Sequence, residues 1–157
     1  MSRIRVQAMV IQDGRVLFGF GKGVHFFPGG GLEEGETPEQ GALRELREEA
    51  GVDGTIVFRI SEPARPDLLA SVYQDHATFL VDIGNQVPLL GYDPEETDTG
   101  DQISLAGVEL IPVDRTGSFT SIDIDYFKLL VAECDKRNMD FPWPAKMNSL
   151  ITGWRQK

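Results

Sequence analysis

Three glutamates on one face of a helix with marked ends constrain this chain more than any other feature. Thr37 stands where an N-cap belongs, Pro38 fits the first helical position, and Gln40 completes a Thr-x-x-Gln capping box. Gly51 supplies the stop, so the sequence predicts a helix over Pro38–Ala50. Ala42, Leu43, Leu46 and Ala50 form its apolar stripe, while Glu45, Glu48 and Glu49 are read as pointing the other way. Their i, i+3, i+4 spacing makes the three carboxylates converge, at a cost of roughly a few tenths of a kcal/mol per pair in an isolated helix. Such a face is either simply solvated, with Arg44 and Arg47 as surface partners, or neutralised by a hard divalent cation.

What precedes the helix bears on that choice. Gly29, Gly30 and Gly31 run consecutively, with Glu36 in the connection. The run is read as a loop, where the backbone bends sharply or approaches a metal or phosphate without side-chain obstruction. A glycine loop abutting a capped, carboxylate-bearing helix points to a metal–phosphate site.

The flanks supply a sheet. Ile4, Val6, Ala8 and Val10 alternate as in a half-buried strand, Asp13-Gly14 marks a hairpin turn, and Val16–Phe20 returns. Thr55–Ile60, Leu69–Tyr73, His76–Ile83 and Val108–Val113 read as further strands, and the acidic stretch from Gly91 to Asp101 as a long loop. Ile122–Asn138 has the spacing of a second amphipathic helix, and Phe141-Pro142-Trp143-Pro144 is expected to pack onto the domain. Strands on either side of two helices make one mixed-sheet α/β domain over residues 1–157.

Charge narrows the partners. A net charge of -10 repels a nucleic-acid backbone, and no basic stripe reverses it. A small anionic substrate remains compatible if a divalent cation bridges it to the carboxylates. No apolar run approaches the roughly 20 residues of a membrane span, and the N-terminus lacks a signal-peptide core. The expectation is a soluble cytoplasmic protein, monomer or homodimer, with no membrane or nucleic-acid partner. Cys134, the only cysteine, rules out intrachain disulfides and reads as an inert core thiol.

Taken together, Gly30 to Val52 resembles the signature of the Nudix hydrolases. The pattern is Gly, five residues, Glu, seven residues, then Arg-Glu-aliphatic-x-Glu-Glu-x-Gly-aliphatic. Gly30, Glu36, Arg44, Glu45, Leu46, Glu48, Glu49, Gly51 and Val52 fill it without departure. The resemblance implies a Nudix-type α/β/α sandwich with a mixed β-sheet, and hydrolysis of a nucleoside diphosphate linked to another group. It implies Mg²⁺ or Mn²⁺ as cofactor, held by Glu45, Glu48 and Glu49 with the Gly30 carbonyl. The catalytic set it implies is Glu45 as general base, Glu48, and Arg44 orienting a carboxylate together with Glu36.

The substrate is less legible. Only Met1–Gly29 precede the motif, which favours a compact (deoxy)nucleoside triphosphate pyrophosphohydrolase. The alternatives are an ADP-ribose or dinucleoside polyphosphate hydrolase, for which Pro63 and Pro66 are weak pointers, and a non-catalytic nucleotide-sensing domain. Substrate-binding candidates are Phe27, Gly29, Gly31, Arg5 and Lys22, and Asp93, Glu95 and Glu96 are candidates for a further acid. Phe20 and Phe26 are weighed as base-stacking rings against core packing, Arg15 and Arg59 as phosphate contacts against surface charge. His25 and His76 are read as structural or exposed.

Overall fold

The computed structural model describes residues 3–21, 23–62, 75–89, 107–143, 149 and 152–153. Strands β1 (Ile4–Gln12) and β2 (Arg15–Gly21) form the predicted hairpin. Asp13 and Gly14 both have positive φ, 53° and 72°, as a tight type I′ turn requires. There follow β3 (Val24–Phe26), β4 (Gly29–Gly31), α1 (Pro38–Ala50), β5 (Thr55–Ile60), β6 (Asp75–Asp82), β7 (Gly107–Pro112) and α2 (Ser121–Arg137). The seven strands make one mixed sheet in the order β3-β2-β1-β6-β5, with β4 beside β1 and β7 beside β2. β1 and β6 are parallel, and the other pairings are antiparallel.

Alternation along the strands sorts two cores. Val6, Ala8 and Val10 of β1 and Ala77, Phe79 and Val81 of β6 pack with Ala42, Leu46 and Ala50 of α1. On the opposite face, Met9, Phe18 and Leu80 pack with Tyr126, Phe127, Leu130, Val131 and Cys134 of α2. The result is the α/β/α sandwich with a mixed sheet that the resemblance implies. One expectation needs correction. β1 is buried on both faces, and its polar residues Arg5 and Gln7 are only 8% and 5% exposed. A central strand with a helix on each side has no solvent face to give them.

The predicted β5 and α1 boundaries are met, and β6, β7 and α2 each begin one residue earlier than the hydrophobic pattern indicates. Asn138, at φ 54°, is the C-cap of α2. Trp143 joins the α2-side core and Phe141 stacks on it, ring centres 6.2 Å apart. Cys134 is buried there, and loss of solvent, with Asp135 and Glu133 nearby, pushes its thiol up to about 11, as an inert core thiol requires. The predicted strand Leu69–Tyr73 and the acidic loop from Gly91 to Asp101 lie outside the described residues. No helix among the described residues is long and apolar enough to cross a membrane.

Candidate active site

The caps of α1 form as its sequence dictates. Thr37 Oγ1 accepts from the Gln40 N–H, Gln40 Oε1 accepts from the Thr37 N–H, and Gly51 closes the helix at φ 68°. Its faces are less as expected. Glu45 is 0% exposed and Glu49 3%, so two of the three acids lie on the buried side with Ala42, Leu46 and Ala50. A buried carboxylate is stable only with hydrogen-bonding partners that replace water. Strand β4 and Arg44 supply them.

Arg44 is the hub. Its Nε and Nη2 fork onto both oxygens of Glu36 at 3.1 and 2.8 Å, and Nη2 also donates to the Gly31 carbonyl at 3.0 Å. Its Nη1 bridges Glu45 Oε1 at 2.9 Å and Glu48 Oε2 at 3.2 Å, and Glu33 approaches Nε at 3.6 Å. The fork is the geometry in which guanidinium and carboxylate bind most strongly. The Arg44 hydrogen bond, opposed by burial and aided by the Glu33 N–H, holds the Glu36 carboxyl below its ordinary value of 4.5. Reciprocally, the bond to Glu36 raises Arg44, which stays charged at any ordinary pH. Arg47, by contrast, makes an exposed pair with Asp53.

The glycine run is a strand. Gly29, Gly30 and Gly31 pair in register with Gln7, Val6 and Arg5, and all three are buried. The expectation of a loop fails because glycines take extended geometry when a neighbouring backbone comes close enough to exclude side chains. A Cβ on Gly29 would lie 2.3 Å from the Val6 carbonyl oxygen, and one on Gly30 would lie 2.5 Å from Glu45 Oε1. The strand is bare so that β1 and the Glu45 carboxylate can both approach it. The Gly29 N–H donates to Glu49 Oε2 at 3.0 Å.

The donor set suits a hard divalent cation. Carboxylate oxygens are the ligands Mg²⁺ and Mn²⁺ prefer, and Gly30 keeps open a space beside Glu45 that a Cβ would fill. Glu45 and Glu48 meet on one nitrogen of Arg44, while Glu49 is drawn to the glycine strand. No three His, Cys, Asp or Glu side chains among the described residues stand as a ready-made ligand cluster.

The remaining candidates divide. Phe27 is 4% exposed and lies in the α2-side core, stacked on Phe18 at 5.2 Å and edge-on to Tyr126. Arg5 reaches the Phe27 carbonyl with Nη2 at 3.1 Å. Phe20 is half-buried against that core, and Arg59 lies over the Phe79 ring at 5.9 Å. Lys22, Asp93, Glu95, Glu96, Pro63 and Pro66 fall outside the described residues.

Sequence reasoning missed two polar constellations. Gln7 Nε2 donates to Thr78 Oγ1 at 2.7 Å across the parallel pair β1–β6, beside Arg5. His25 Nε2 meets Asp123 Oδ2 at 2.5 Å, and the same oxygen accepts the Thr120 N–H in the capping box of α2. The available signal for the second was Thr-x-x-Asp at Thr120–Asp123. His25 is thus structural, as read, and its ring lies 4.4 Å from that of Phe18; His76 is buried at 3% exposure.

Comparison with known proteins agrees with this geometry. A family model described as NUDIX domain matches residues 1–124. Over 29 residues the chain is 69% identical to an 8-oxo-dGTP diphosphatase of Proteus vulgaris, a match spanning 18% of this chain and only 26% of that protein. Among solved structures, a NUDIX hydrolase from Nitrosomonas europaea is similar with TM-score 0.62 at 17% identity, over 85% of this chain and 90% of that one. A bifunctional NMN adenylyltransferase/ADP ribose pyrophosphatase from Francisella tularensis, complexed with AMP and a Mn ion, is similar with TM-score 0.58 at 21% identity, over 85% of this chain and 42% of that one. At such identities the structural likenesses speak for the fold.

Proposed function

The chain belongs to the Nudix hydrolase family, and from that premise we propose that it is a (deoxy)nucleoside triphosphate pyrophosphohydrolase. The observation that carries the reading is the Arg44-centred carboxylate group, its Glu45 fully buried, set against a strand stripped of side chains. A purely structural helix has no use for Glu45 at 0% exposure or for three buried glycines beside it.

Glu45, Glu48 and Glu49, with the Gly30 carbonyl, would hold Mg²⁺ or Mn²⁺. When bound, such a cation neutralises phosphate charge and supplies Lewis acidity at phosphorus. The chain's own residues do the rest. Arg44 fixes the Glu45 carboxylate through Oε1, aiming it at the Gly30 backbone. Glu45 takes a proton from the attacking water as its oxygen bonds to phosphorus, and the anhydride P–O bond breaks with its electron pair leaving on the bridging oxygen. Glu36 keeps Arg44 in place by the two-point fork. Gly29 and Gly31 would meet the phosphate chain through backbone groups alone.

Hydrolysis of ADP-ribose or a dinucleoside polyphosphate is the second reading, favoured by the named activity of the Francisella tularensis neighbour. A panel of nucleoside triphosphates, ADP-ribose, dinucleoside polyphosphates and nucleotide sugars, assayed for phosphate and pyrophosphate release with Mg²⁺ and with chelator, separates them. Metal-dependent pyrophosphate release from a triphosphate is the expected result. Silence across the panel with tight binding of one member would replace the enzyme by a nucleotide sensor.

A further inference from the structure

Two arginines flank the same glycine. Arg44 donates to the Gly31 carbonyl, and Arg5 is paired with Gly31 in the β1–β4 register. Their surroundings are opposite. Arg44 lies among four carboxylates, those of Glu33, Glu36, Glu45 and Glu48. Arg5 is 8% exposed, yet its hydrogen bonds among the described residues go only to neutral oxygens, the Phe27 carbonyl at 3.1 Å and Gln7 Oε1 at 3.4 Å. Among those residues no carboxylate lies within ion-pair distance of it.

A guanidinium cannot shed its charge by losing a proton. Burying one without an anion is expensive, so natural cores pair it. The cost is recovered if the anion arrives with a ligand. The neutral bonds hold the side chain in one place: Phe27 O anchors Nη2, and Gln7, itself bonded to Thr78, steadies Nε. A cation so held beside a strand of glycines is preorganised for two-point binding of a multi-oxygen anion such as a phosphate group.

We infer that Arg5 is the substrate's fixed anion receptor, taking an oxyanion of the phosphate chain while the α1 carboxylates act on it through a cation. The inference rests on the phosphoanhydride reading of the site and adds the residue that recognises the phosphate chain without metal.

The test uses inorganic pyrophosphate in chelator, so that no divalent cation contributes. Calorimetric titration of the intact protein is expected to show binding that weakens by about ten- to a hundred-fold in Arg5→Gln, the value of one or two hydrogen bonds to a charged group. Arg47→Gln, which removes an equal charge from the solvent side of α1, should bind pyrophosphate as well as the parent does. In the unmodified protein, the Arg5 Nε–H resonance should move on titration and saturate with the calorimetric affinity. This second measurement stands even if Arg5→Gln does not fold. Unchanged affinity in a folded Arg5→Gln, or an Arg5 resonance that stays still while pyrophosphate binds, overturns the inference. Pyrophosphate that moves Arg5 in a protein without metal-dependent turnover keeps the anion receptor and overturns the hydrolase reading instead.

Discussion

Helices α1 and α2 begin with the same device, a threonine bonded reciprocally to the third helical residue, and end on a left-handed residue, Gly51 or Asn138. They cover opposite faces of one sheet. Between the ends they diverge. α2 fills its inner face with Tyr126, Phe127, Leu130, Val131 and Cys134, and each of its buried acids is closed by a neighbour, Asp123 by His25 and Thr120, Glu133 by Arg137. α1 seats Glu45 and Glu49 amid Ala42, Leu46 and Ala50, facing a bare strand. Caps and apolar spacing decide where a helix sits; buried charge facing a bare strand is what sets α1 apart from α2.

Removing one acid of α1 should break that contrast most visibly. Glu49→Gln is expected to lower Mg²⁺-dependent turnover by about 10³-fold or more, the size of a lost contribution to transition-state charge stabilisation. Far-ultraviolet dichroism and the urea midpoint should stay near the parent's, because Gln has the shape of Glu and its amide oxygen can still accept the Gly29 N–H. Near-normal turnover in the variant would remove Glu49 from the site.

The complementary change on the other helix tests the converse. Leu130 is fully buried in the α2-side core, and Leu130→Ala should cost about 3 kcal/mol in urea unfolding. Under conditions where the variant is folded, kcat/KM should remain within about twofold of the parent's, since the cavity opens on the face away from α1. A loss of turnover as deep as that of Glu49→Gln would mean that the two faces are not separable and that packing on α2 sets the carboxylates.

The same comparison marks what was readable from sequence. Both caps of α1, the Asp13-Gly14 hairpin and β5 are local, decided by residues within a few positions of each other, and they stand where the pattern put them. The Arg44 cluster of the candidate site was also legible, because Arg44, Glu45 and Glu48 occur on one short helix. What the sequence could not carry was the non-local geometry. Three glycines in a row look like a loop until β1 lies beside them, and only that pairing turns them into β4. Glu45 and Glu49 look solvated until the bare strand closes over them. Arg5 and Gln7 occupy the polar positions of an alternating strand, and nothing local says that α2 will cover that face. His25 and Asp123 meet only because the sheet brings β3 to the start of α2.

The smallest expected effect lies in the fork that supports the site. Glu36 titrates below its ordinary 4.5 in the folded protein, chiefly because Arg44 bonds its carboxylate. A carboxyl whose folded value is depressed contributes stability that is fully present above the unfolded value, here 4.5, and is lost as pH falls through the lower folded value. Glu36→Gln removes that contribution. The variant should therefore be less stable than the parent at neutral pH, and the gap in urea midpoints should narrow once pH drops below 4.5, closing as the parent's Glu36 becomes protonated. Glu133 and Arg137 on α2 form the contrasting pair, for Glu133→Gln should leave the Arg44 cluster, and hence turnover, untouched. A midpoint gap for Glu36→Gln that stays constant from neutral pH down to the acid limb would mean that Glu36 holds Arg44 by shape alone. The charge-assisted fork would then not be what aims the Glu45 carboxylate.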